Sequence, residues 1–247
     1  MVEIALCLAI VGFALVAIIG VLPAGLNVQK ENREETILNQ DSTVWLDAIR
    51  TGARGYDEIT NYVDSIVVTN FIYEVTTTTN LVNPPQVILA QHENGNGWTP
   101  SIYLDSGDKV IGLLTTPRIT PVAGGFSSNV VYAYCRAISG VATEKTPQQH
   151  NQEVRANAFS YRMTVEVTPY AVIDPDNIAT NAFDRYLRTS LTDVRLFIRW
   201  PLRQPLDQGV IANPPVADAS RITFRTQAGG RITGSAPFYY IQPRTYQ

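Results

Sequence analysis

A chain of 247 residues with 19 basic and 22 acidic side chains carries a formal net charge of −3. It therefore lacks the overall basic footprint of a nucleic-acid binder. The length admits one large or two small domains, with enough apolar residues to bury a core. Two cysteines, Cys7 and Cys135, are too few for a disulfide-stapled scaffold. Both read as small buried apolar residues.

The chain opens with MVEIALCLAIVGFALVAIIGVLPAGL. From Ile4 to Leu22 it has no charged or strongly polar side chain. As a helix this run is about 28 Å long, close to the hydrocarbon thickness of a bilayer. A single carboxylate, Glu3, precedes it. No Lys or Arg occurs before Lys30, so the basic start of a secretory signal is missing. Pro23-Ala-Gly25 is expected to loosen or kink the helix, because proline removes a backbone donor. Beyond it, Ile37, Leu38, Val44, Trp45, Ala48 and Ile49 recur at helical spacing and predict an amphipathic continuation. Its apolar face should pack on the domain that follows. Gly52 and Gly55 should end it.

Residues 56–69 place Ile59, Tyr62, Val63, Ile66 and Val67 at helical spacing, predicting a second, shorter helix capped by Asp57. Residues 70–100 read as loop, with strand character at 87–90. The remainder reads as β. Strands are expected at 109–114, after the turn residues 105–108, then at 129–138, 160–168, 191–200 and 221–226. An aromatic edge is expected at 237–241. Residues 160–168 show the cleanest alternation, with Tyr161, Met163, Val165 and Val167 against polar partners. Helix first and strands afterwards is an α+β order. The predicted fold is therefore a long N-terminal α-helix, apolar in its first half and amphipathic in its second, packed on an antiparallel β-sheet domain. The divisions are 1–26, 27–55 and 56–247.

Little in the sequence promises chemistry. No zinc, nucleophile-elbow or phosphate-loop motif is present. His92 and His150 sit in polar, loop-like contexts. Asp105 with Asp108, and Asp174 with Asp176, offer oxygen ligands suited to Ca²⁺. The same residues are ordinary turn formers, and the turn role is the commoner one. The expectation is a chain that is not an enzyme and holds no cofactor.

The first 50 or so residues resemble the mature N-terminus of type IV pilins and pseudopilins. The resemblance rests on the short apolar start, one Glu, an unbroken apolar helix and Gly12 nine residues after Glu3. In that family the Glu is the fifth residue, so the resemblance implies two residues ahead of Met1. Pro23 lies three residues beyond the usual family proline, and Gly20 stands in that place. The resemblance implies a filament subunit that waits in the inner membrane and is then added to an extracellular, helical homopolymer. Glu3 would pair with the α-amino group of a neighbouring copy and set the axial register, with Gly12, Gly20, Pro23 and Gly25 shaping the packed helices. A prepilin peptidase, an assembly ATPase and a platform protein are the implied partners, and no nucleic acid is expected for the bulk subunit. A periplasmic pseudopilin of type II secretion and a single-span membrane-tethered binding module are the alternatives.

Overall fold

A computed structural model describes residues 2–52, 57–75, 79–82, 84–91, 100–139, 159–170, 182–202 and 217–242. The chain divides into two compact units, Met1–Gln40 and Asp41–Gln247. Helix α1, Val2–Thr51, forms all of the first unit that is described and supplies the opening element of the second. It is helical on both sides of Pro23, so the chain does not melt there. The helix stops at Gly52, whose φ of 67° is the left-handed conformation that glycine adopts at a helix C-terminus.

In the second unit a nine-stranded sheet follows the order β4-β3-β1-β6-β7-β8-β9, with β2 added to β1 and β5 added to β6. The strands are β1 Val63–Val75, β2 Thr79–Leu81, β3 Gln86–Gln91, β4 Ile102–Tyr103, β5 Ile119–Val122, β6 Gly125–Arg136, β7 Ser160–Pro169, β8 Leu191–Leu202 and β9 Ala217–Gly229. All pairings are antiparallel except β3 with β4. Helix α2, Gly107–Leu114, and helix α3, Ala182–Ser190, complete the unit with a separate hairpin of β10, Arg231–Ser235, and β11, Phe238–Gln242. The α+β fold of a long N-terminal helix with a predominantly antiparallel sheet is as expected.

One face of the sheet is apolar, because alternate residues on each strand point the same way. Ile66, Ala133, Met163, Ile198 and Ile222 lie in one row across five strands. Val68, Val131, Val165, Leu196 and Phe224 form the next. The last turns of α1 pack on this face with Trp45, Ala48 and Ile49 fully buried.

Several expectations fail locally. Residues 57–69 do not form the expected α-helix: Asp57–Tyr62 is a 3-10 turn and Val63 begins β1. The β-branched run Ile66-Val67-Val68 suits a pleated surface, and the pairing to β6 and β3 on both sides overrides local helical spacing. Residues 109–114 are helix, not strand. Val110, Ile111, Leu113 and Leu114 are all buried there, and so short an apolar run has no period of its own. Residues 237–241 pair with β10 and add nothing to the main sheet. Cys135 is buried as expected, but Cys7 is exposed on α1.

Candidate functional site

Helix α1 exposes every described side chain from Val2 to Arg33. Apolar residues cover its whole circumference: Val2 is 82% exposed, Phe13 79% and Val16 71%. Fifteen large apolar side chains between Val2 and Val28 are exposed in this way. Burying each is worth roughly 1.5–3 kcal/mol, so the surface holds on the order of 20–40 kcal/mol of unspent driving force. No charged residue interrupts it between Glu3 and Lys30. The helix is long and apolar enough to cross a membrane.

The residues singled out for assembly all lie on this helix. Glu3 is in its first turn. Gly12, Gly20 and Gly25 face open space, with nothing within 4 Å of where a Cβ would stand. Pro23 is inside the helix.

The calcium candidates fare differently. Asp105 binds Lys109 at 2.8 Å, and that bond holds its exposed carboxyl below the usual aspartate range. Asp108 lies in the first turn of α2. Among the described residues, no three His, Cys, Asp or Glu side chains gather where a metal could sit. Asp174, Asp176, His92 and His150 lie outside the described residues.

The sequence reading missed the device that holds the end of α1 to the sheet. Asp41 is fully buried and accepts four hydrogen bonds. They come from the Ile138 and Ser139 amides at 2.9 Å each, the Ser139 hydroxyl at 2.7 Å and the Tyr161 hydroxyl at 3.0 Å. The Tyr161 oxygen in turn accepts the Trp45 indole N–H at 2.8 Å. Burial pushes the Asp41 carboxyl up, while the bonds from Ser139, Ile138 and Tyr161 pull it back only in part. Burial, with Asp41 beside it, raises Tyr161 far above the usual phenol range. The network stitches α1 to β7 and to the chain leaving β6. One signal was available: Asp41 falls on the helix face of Leu38, Trp45 and Ala48, where a lone acid needs partners.

A second arrangement lies on the opposite face of the sheet. Arg162, Arg199 and Arg221 stand directly beside one another on β7, β8 and β9. The neighbouring arginines are matched by acids. Arg136 pairs with Asp64 at 3.1 Å and Arg118 with Glu166 at 3.0 Å, while Asp193 bridges Arg195 and Arg225 at 2.9 and 2.7 Å. Burial works against the Asp193 carboxylate, but the bonds from Arg225 and Arg195 hold it below the usual range. No family model matches the chain, nor does any curated protein or solved structure.

Proposed function

We propose that this chain is the structural subunit of a filament of the type IV pilus kind, built through its N-terminal helices. The observation that carries the reading is the apolar surface around the whole circumference of α1 as far as Val28. An ordinary surface helix hides one apolar stripe and shows a polar one. A helix that is apolar all round requires lipid or other helices on every side. From Val2 to Val28 the exposed apolar surface is about 40 Å long, more than the roughly 30 Å of a bilayer core. Packing among copies uses all of that length. Membrane residence is then the waiting state before assembly.

Within this reading Glu3 sets the register. A carboxylate in apolar surroundings is costly unless it is paired, and a cationic partner on a neighbouring helix fixes how far each subunit slides along the next. The test is Glu3→Ala in cells that make the wild-type filament. Electron microscopy should show filaments lost or sharply reduced, with the subunit still present in the membrane fraction. Normal filaments from the variant would dismiss the register role. Absence of filaments from cells making the unaltered chain would dismiss the filament itself and favour a single-span tether.

A further inference from the structure

We infer that the arginine row on the outer face of the sheet binds the phosphodiester backbone of a single-stranded nucleic acid. Arg162, Arg199 and Arg221 are cross-strand neighbours on three adjacent strands. Strands lie about 4.8 Å apart, so the three positions span about 10 Å in a line. Like charges directly opposite each other in a sheet are destabilising. Elsewhere on this molecule that cost is removed by acids, through Asp64, Glu166 and Asp193. Those acids are already engaged with other arginines, and none reaches this row. Among the described residues no ion pair is made by Arg162, Arg199 or Arg221. Arg199 and Arg221 are exposed. Arg162 lies with its guanidinium 5.4 Å from the Tyr132 ring centre and bonds Tyr134, yet its buried Nε has no partner. A row of guanidinium groups that has no acid among the described residues suits an anion with several charges in sequence. Arginine forks match phosphate oxygens in two-point contact.

The next row on the same face narrows the class. Tyr132, Thr164, Phe197 and Thr223 lie side by side there. Phe197 is half-buried between the Arg195 and Arg199 positions of β8, and Tyr132 already stacks under a cation. Aromatic faces beside a basic track are how sheet surfaces hold unpaired bases, since every base has a stacking face. An acidic polysaccharide would use the arginines but has no aromatic base to stack. The overall charge of −3 hides this local row, because it averages over the whole chain.

The test is fluorescence anisotropy of a labelled oligothymidylate with the full chain in an uncharged detergent. Binding should weaken with salt at a logarithmic slope of about −2, the value for three phosphates neutralised on a single strand. Arg199→Gln with Arg221→Gln should lower affinity by about tenfold or more and flatten that slope. Phe197→Ala should lower affinity and leave the slope unchanged. Circular dichroism verifies that each variant folds, and Arg221→Gln alone, at an exposed edge-strand position, serves if the pair does not. Equal affinity in the arginine variants would overturn the site. A polyuronate of matched charge that competes as well as a second oligothymidylate would overturn the nucleic-acid assignment.

Discussion

The Tyr161 hydroxyl donates to buried Asp41 across 3.0 Å while accepting the Trp45 indole N–H at 2.8 Å. Two residues four apart on α1 are thereby tied to one residue on β7, some 120 positions later in the chain. Tyr161→Phe removes the oxygen and leaves the buried Trp45 donor without an acceptor and Asp41 one donor short. An unsatisfied buried group costs about 1–3 kcal/mol. The expected outcome is a loss of about 2–3 kcal/mol in urea unfolding, with the fold retained by circular dichroism. A loss below about 0.5 kcal/mol would mean that the bonds are not made in solution.

Asp41 also gives the second unit a pH dependence of definite sign. Burial raises its pKa above the ordinary aspartate value, so the folded chain holds this proton more tightly than the unfolded chain does. The contribution is complete below the ordinary value and is lost as pH rises through the raised one. Asp41→Asn cannot titrate there, and it costs about 1–3 kcal/mol by presenting donors where the site holds donors. The margin of wild type over Asp41→Asn should therefore narrow as pH rises from the ordinary aspartate value, 3.8, through the raised one. A margin that widens over that range would show the four hydrogen bonds outweighing desolvation.

Backbone proximity makes a separate demand where β6 begins. A Cβ on Gly125 would overlap the Tyr73 carbonyl and stand 3.1 Å from Glu74 Cα. Neither backbone atom can yield easily, because Tyr73 pairs with Phe126 and their rings stack at 5.0 Å. Gly125→Ala should cost about 2–3 kcal/mol by overpacking, a drop of about 5–10 °C in thermal midpoint for a unit of this size. Unchanged melting would mean that β1 and β6 separate freely at this end.

The strands with clean alternation were legible because burial on one face imposes it. Residues 160–169 and 191–202 show it: Met163, Val165 and Val167 face Ile198, Leu196 and Val194 across the register. The N-terminal helix was legible for a simpler reason, its length without a charge. Residues 63–68 and 109–114 were not, since their form is set by distant partners: β6 and β3 for the first, and the 3-10 turn, β11 and β1 for α2. The same limit hid both polar arrangements. Asp41 and Tyr161 have no meaningful spacing in the chain and meet where the end of α1 packs on the sheet, while Arg162, Arg199 and Arg221 meet through strand register.

Residues up to Arg33 contribute no buried side chain among those described, so the sheet unit should not need them. A chain beginning at Glu34 keeps Asp41, Trp45 and the whole sheet. It loses the ion pair of exposed Lys30 with half-buried Glu34 at 3.8 Å, worth about 1 kcal/mol. Its thermal midpoint should match the full chain's in detergent within about 3 °C. Released from fifteen exposed apolar side chains, it should also stay monomeric without detergent, as sedimentation would show. A large fall in midpoint would mean that the apolar helix supports the sheet unit directly. Aggregation of the shortened chain would mean that a second apolar surface on the sheet unit drives association, and that α1 is not the principal assembly element.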